Sequence, residues 1–281
     1  MVKEYSIPFV AIQLTKMCNL SCKFCFRRLN FEEIGSLEMK KIIAAIGKLN
    51  PEKIVLSGGE PLLREDILDI LQQVKSMGIK TVLQSNAILL KERINELAPY
   101  IDWISLSLDG DSESTNSILR GPNHFEKVLN ILPILKNLDI PVKLGTVVTK
   151  KNLNSIPGIG KLIGLYVNIW KLYQFYPREN CLSDKYKKEF EVDLESYLNV
   201  MKEVKQRYPL MEISQHTIKD FEEGPCILIH PDGNVYISKG MGDKNIGNIL
   251  ESPKGIIEEC KKSGILKNIE KNYEKTYKDK V

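Results

Sequence analysis

Residues 53–61 read KIVLSGGEP. A short apolar run rich in β-formers stops at two glycines, an acid and a proline, which is how a buried strand ends in a tight turn. The same kind of run recurs on both sides, at residues 9–14 (FVAIQL), 81–85 (TVLQS), 103–108 (WISLSL), 142–148 (VKLGTVV) and 169–175 (IWKLYQF). Between them the spacing turns helical, over residues 37–49, 65–77, 91–97 and 125–138, and more weakly over 153–165, where Pro157, Gly158 and Gly160 interrupt it. A further helical pattern covers 194–208. Alternating strands and helices predict an α/β fold with a parallel sheet, and continuous apolar strands predict one covered on both faces. Six units are too few for a closed eight-unit barrel. A partial barrel and a doubly wound sheet both fit the alternation.

The style changes after residue 208. Met211–Ser214 reads as a short strand. Cys226 to Ile237 reads as a β-hairpin around Pro231-Asp232-Gly233-Asn234, where proline presets the turn and glycine accepts positive φ. A helix is expected from Ser252-Pro253, with proline just inside it, and the chain beyond Lys261 is a charged tail. The expected division is therefore 1–208 and 209–281.

The chain of 281 residues carries a net charge of +4 from 40 basic and 36 acidic residues, too even a balance for a nucleic-acid or membrane-surface binder. No run of about 18 apolar residues predicts a membrane span. Glu4 and the lack of a small-residue cleavage site argue against a signal peptide, so a cytoplasmic protein is expected. There, clustered cysteines are ligands or catalysts sooner than disulfides.

Three of the six cysteines, Cys18, Cys22 and Cys25, follow directly on the first strand. In a parallel β/α fold that is the end of the sheet where active sites gather. Soft thiolates suit zinc or iron–sulfur. Zinc sites usually show two Cys/His pairs and no second pair exists here, while three thiolates on a cubane leave one iron open. With Phe24 in the aromatic slot, the run resembles the C-x3-C-x-aromatic-C signature of the radical S-adenosylmethionine (SAM) superfamily. The resemblance implies a partial (β/α)6 TIM-like barrel with a small C-terminal β-hairpin and helix extension. It also implies a [4Fe–4S] cluster on the three cysteines that cleaves SAM reductively to a 5′-deoxyadenosyl radical.

Later strand ends fit the same family. Gly58-Gly59-Glu60-Pro61 matches its GGEP motif, which holds the SAM amino group. Ser85-Asn86 matches Ser-Asn-Gly, with Ala87 in place of glycine. Ser107 and Asp109 close the fourth strand, where the family contacts SAM. Ile118-Leu119-Arg120-Gly121 resembles its I-R-G, and Arg120 is placed against the SAM carboxylate. The implied partners are a small-molecule, nucleotide or peptide substrate and an electron donor such as ferredoxin or flavodoxin.

The C-terminal part resembles the SPASM/twitch extension, but only Cys226 matches, Ser238 stands where a cysteine is common, and Cys181 and Cys260 are scattered. No auxiliary cluster is expected. A second resemblance is to the viperin-like nucleotide dehydratases. It rests on Trp170-Lys171-Leu172-Tyr173-Gln174-Phe175 and on Lys143 of the fifth strand, and it implies that Lys143 and Lys171 face a triphosphate. A reading of another class is a non-catalytic iron–sulfur or zinc scaffold. His124, His216 and His230 read as structural or surface residues.

Overall fold

A computed structural model describes residues 7–27, 29–178, 181–240 and 242–269. The strands are β1 (Phe9–Gln13), β2 (Lys53–Ser57), β3 (Lys80–Gln84), β4 (Trp103–Ser107), β5 (Val142–Val148), β6 (Ile169–Gln174), β7 (Ile213–His216), β8 (Cys226–Ile229), β9 (Asn234–Lys239) and β10 (Gly242–Asn248). The helices are α1 (Ser36–Gly47), α2 (Ile67–Ser76), α3 (Leu90–Leu97), α4 (Glu113–Arg120), α5 (His124–Asn137), α6 (Ile156–Ile163), α7 (Leu182–Lys185), α8 (Lys187–Phe190), α9 (Leu194–Arg207), α10 (Ile218–Glu223) and α11 (Pro253–Lys262).

The ten strands of the described residues form one sheet in the order β10-β9-β8-β1-β2-β3-β4-β5-β6-β7, and the sheet does not close on itself. From β1 to β7 each strand pairs with the next in parallel. This is the expected partial barrel, lengthened by β7. The expected hairpin is β8 and β9, and it is built into the barrel: β8 runs parallel to β1 with Ala11 opposite Leu228, while β9 and β10 add antiparallel strands. The short strand expected at Met211–Ser214 starts two residues later, at Ile213.

Helix α2 illustrates how the outer layer attaches. Ile67, Ile70, Leu71 and Val74, spaced one helical turn apart, are its buried residues. The strand faces are buried on both sides along β2 and β4, whose only partly exposed positions, Ser57 and Ser107, lie at their C-terminal ends. Helix α4 was not foreseen as a helix. It begins at a reciprocal cap between Ser112 and Thr115 and delivers Arg120 in its last turn. The open seam between β7 and β10 is bridged by α10, which packs on both β7 and β9. There the Gly240 N–H donates to the Phe221 carbonyl at 2.9 Å.

No described helix is long and apolar enough to cross a membrane. Residues 270–281, most of the expected charged tail, lie outside the described residues.

Candidate functional site

Strand β1 ends at Gln13, and the chain turns across the C-terminal end of the sheet carrying the three thiols. Cys22 is buried, and Cys18 and Cys25 are half-buried. What seats this loop is the pair of glycines after β2. The Gly59 N–H donates to the Thr15 carbonyl at 2.6 Å and the Glu60 N–H to the Met17 carbonyl at 2.7 Å. A side chain at Gly59 would stand 1.9 Å from the Met17 carbonyl oxygen, and one at Gly58, whose φ is +153°, would stand 2.8 Å from that of Thr15. The glycines are needed because backbone lies against backbone.

Glu60 turns inward. It is fully buried, and its carboxylate accepts from Ser85 Oγ (2.9 Å), the Leu62 N–H (3.2 Å) and the Asn86 N–H (2.7 Å). Burial pushes the carboxyl above its ordinary range, with the three donors pulling the other way. Glu60 therefore ties the β2 turn to the β3 turn. Asn86, so held, donates from Nδ2 to Asn19 Oδ1 at 2.7 Å and approaches Cys18 Sγ at 3.6 Å. Ala87 takes φ +69°. It adopts the left-handed conformation that a glycine would take there, so the turn is kept without one.

Arg120 comes from the other flank. Its Nε pairs with the fully buried Asp109, its Nη1 lies 3.9 Å from Cys22 Sγ, and its guanidinium sits 4.7 Å from the centre of the Phe24 ring. Asp109 is braced in turn by the Val147 N–H at 2.7 Å. Burial works against the charge on Arg120, but Asp109 and then Cys22 outweigh it and hold its pKa above the usual value. Burial also pushes the Cys22 and Cys25 thiols up, opposed by Arg120 at Cys22 and by the Arg27 N–H at Cys25.

The thiols open onto a cavity of about 480 Å³. Cys18, Cys22, Phe24, Cys25, Gly58, Gly59, Ser85, Asn86, Ser107, Arg120, Lys143 and Lys171, singled out from separate stretches of sequence, all line it. Glu60, Pro61 and Asp109 do not line it: all three are buried behind the wall, and Glu60 and Asp109 orient residues that face it.

Several lining residues were missed: Gln13, Arg27, Tyr173, Tyr176, Arg178, His216 and Phe221. Tyr173 was within reach, since it follows Lys171 by two residues on β6 and shares its face. Arg178 carried no local signal. It pairs with Asp243 of β10 and lies 5.7 Å from the Phe26 ring. His216, read as structural or surface, is buried on β7 and packs edge-on against Phe221 at 4.3 Å. The other cysteines are dispersed. Cys181 Sγ donates to the Phe26 carbonyl at 3.3 Å, Cys226 faces Ser238 across β8 and β9, and Cys260 is buried in α11.

Among relatives, an AdoMet-dependent heme synthase of Methanosarcina barkeri is 33% identical over 154 residues, covering 52% of this chain and 44% of that protein. An S-adenosylmethionine-dependent nucleotide dehydratase of Flammeovirga pacifica is 29% identical over 192 residues, 61% of this chain and 63% of that one. The chain thus spans about half to two thirds of the length of these relatives. In fold it is similar to Streptococcus suis SuiB bound to S-adenosylmethionine, with a TM-score of 0.70 at 16% identity over 90% of this chain and 65% of SuiB. The sequence profile of the radical SAM superfamily matches residues 12–163, more than half of the chain and the whole stretch from the thiol loop to α6; the chain belongs to the radical SAM superfamily.

Proposed function

We propose that Cys18, Cys22 and Cys25 hold a [4Fe–4S] cluster and that the chain uses it to cleave SAM and to take hydrogen from a substrate bound in the cavity below. The observation that carries this reading is convergence: three thiols, the Gly58–Gly59 turn, and the ends of β3 and β4 meet around one cavity. Among the described residues no three His, Cys, Asp or Glu side chains are grouped as a single ion needs. Three thiolates on a cubane leave one iron without a protein ligand. When bound, the cluster supplies one electron to break a carbon–sulfur bond of SAM, giving methionine and a 5′-deoxyadenosyl radical.

The chain's own residues position these groups. Phe24, Gly58, Gly59, Ser85, Asn86, Ser107 and Arg120 form the SAM side of the wall. Glu60, Pro61 and Asp109 hold those residues in place from behind. Residues 1–208 carry the cofactors, and 209–281 add strands and α10 that wall off the substrate from water, which a radical needs. The electron comes from a ferredoxin- or flavodoxin-type donor, and the thiols stay reduced in the cytoplasm. A second reading, nucleoside triphosphate dehydratase, is favoured by the buried Lys143 and Lys171 in the wall and by the nucleotide dehydratase among the relatives.

The test is anaerobic. The protein is reconstituted with iron and sulfide, given SAM and dithionite, and assayed for 5′-deoxyadenosine by mass spectrometry beside Cys22→Ala. Wild type is expected to make it and the variant to lose both product and brown absorbance. A wild-type protein that binds zinc and stays colourless would remove the reading. Iron should number about four per chain, and about eight would mean a second cluster.

A further inference from the structure

Near the barrel seam, two guanidinium groups have bonds still to make. Arg27 and Arg178 line the cavity, and the Nε–H of each is buried with no acceptor, a costly state for a charged donor. Arg178 is held in three ways. Its Nη2 pairs with Asp243 of β10, its guanidinium lies 5.7 Å from the Phe26 ring, and its backbone N–H donates to Ser183 Oγ at 3.0 Å. Arg27 directly follows Phe26 in the chain, so both arginines stand next to that residue. The other cations of the wall are already engaged, Arg120 with Asp109 and the two strand lysines with neighbours of their own.

The local charge sets what the seam can accept. Both guanidiniums stay protonated, and the Asp243 carboxylate, 7% exposed, cancels one of them. The neighbouring Cys226 thiol is pushed up by burial, which keeps it neutral. Among the described residues no aspartate or glutamate lines the cavity. One positive charge is left over, which matches a single carboxylate. A dianion such as a phosphate monoester would leave unbalanced charge out of water. A cluster on three thiolates is formally anionic and SAM formally cationic, so the cofactors offset each other and leave the seam as it is. An aromatic wall begins at the same Phe26. Phe221 of α10 meets Phe26 edge-on at 6.2 Å, Tyr173 at 6.2 Å and Tyr176, stacked, at 5.3 Å, and all four rings line the cavity. Such a wall takes apolar or planar groups.

We infer that the substrate is an amphipathic carboxylic acid, its carboxylate held by Arg27 and Arg178 near the seam and its apolar body lying along Phe26, Tyr173, Tyr176 and Phe221. The inference rests on the proposed radical SAM site and names what that site takes. Arg27 and Arg178 are then specificity residues, and Asp243 is a positioning residue that also sets the charge they present.

The experiment titrates phenylpropanoate into the anaerobically reconstituted, SAM-loaded protein and follows the heat. Saturable binding is expected at millimolar concentration, with phenylpropanamide, of nearly the same shape, weaker by about tenfold or more. Phenyl phosphate, a dianion at mildly alkaline pH, should bind no tighter than the carboxylate. Arg27→Gln and Arg178→Gln should each weaken the carboxylate by about tenfold and leave the amide where it was, with Arg178→Lys recovering part of the loss. Asp243→Asn raises the charge of the seam and should shift the preference toward phenyl phosphate, a change of selectivity that a mere strap between β6 and β10 would not produce. Thermal melts and iron content separate lost binding from lost folding. Should Arg178→Gln fail to fold, Arg27→Gln, whose Nε has no acceptor to lose, carries the test. A short peptide ending in phenylalanine, set against its C-terminal amide, tells the two sources of a carboxylate apart: tighter binding than phenylpropanoate assigns it to a peptide, and equal or weaker binding to a small acid. Absence of saturable heat at millimolar phenylpropanoate, equal binding of its amide, or tighter binding of phenyl phosphate by the wild type would overturn the inference. Production of 5′-deoxyadenosine by the same wild-type sample is read separately. Product without carboxylate binding sinks the inference and leaves the radical SAM reading intact, and binding without product under any condition removes that reading and leaves the carboxylate site.

Discussion

Gly59 shows how one position can decide whether the thiol loop forms. Its missing side chain leaves room for the Met17 carbonyl, which a Cβ would meet at 1.9 Å. Backbone cannot swing aside as a side-chain tip can, so Gly59→Ala is expected to destabilise the protein by about 3 kcal/mol or more and to lower the iron bound after reconstitution. Thermal melts and iron quantitation check both effects; an unchanged melt with full iron would mean that the loop has another way to sit. Ala87 is the opposite case. It occupies a left-handed position at φ +69° that costs an L-residue about 1 kcal/mol, and the Glu60–Ser85–Asn86 hydrogen bonds hold the turn nonetheless. The motif residues were legible one by one. Their division into cavity wall and inner brace was not, because side-chain direction at a strand end depends on what the neighbouring strand offers.

At the scale of elements, the contact between α4 and α5 determines where Arg120 points. The Asp109 N–H donates to Asn116 Oδ1 at 3.0 Å, so the other end of that amide, Nδ2, is the donor to His124 Nδ1 at 3.0 Å. His124 must therefore accept at Nδ1 and stay neutral. Burial, with Arg120 second, pulls its pKa down to about 3 from an ordinary 6.5. A depressed value means that the unfolded chain takes the proton more readily. The stability this gives is complete above pH 6.5 and is lost progressively as pH falls toward 3. By pH 5 the loss should be about 2 kcal/mol, read as the difference in urea midpoints between wild type and His124→Gln, whose side chain does not titrate. Parallel acid limbs in the two proteins would contradict it. His124, read as a structural or surface residue, is buried at the start of α5, but its bond to Asn116 joins two helices and no local pattern announces it.

For the molecule as a whole, the C-terminal strands decide whether the barrel has an exposed flank. β8 covers the backbone edge of β1 through the Ala11–Leu228 and Ile12–Ile229 pairs, and β10 ends the sheet as a polar, bulged strand of the kind that resists further pairing. A chain ended at Tyr208 would bare the apolar edge of β1 and would lack the wall residues His216 and Phe221. It is expected to aggregate or self-associate, seen as early elution in size-exclusion chromatography. A monomeric, melting-competent fragment would establish 1–208 as a unit that folds alone. From sequence the hairpin and its turn were plain, whereas its place as the continuation of β1 was not, since a parallel partner more than two hundred residues away leaves no trace in local spacing.

What the sequence determined by itself was the alternation of strands and helices from β1 to β6, apart from α4, together with the three-thiol run and the strand-end motifs at the C-terminal side of the sheet. These follow from local rules: hydrophobic period selects the element, and a parallel β/α alternation puts every strand's C-terminal end on one side of the sheet. Only the tertiary structure decided that Glu60 and Asp109 turn away from the cavity, that Arg178 and Asp243, 65 residues apart, meet across the seam, and that, among the described residues, five cationic side chains and no carboxylate line one cavity. Such meetings depend on how far the sheet curls and on which flank α10 bridges, and curvature is a property of all ten strands together, carried by no single stretch of the chain.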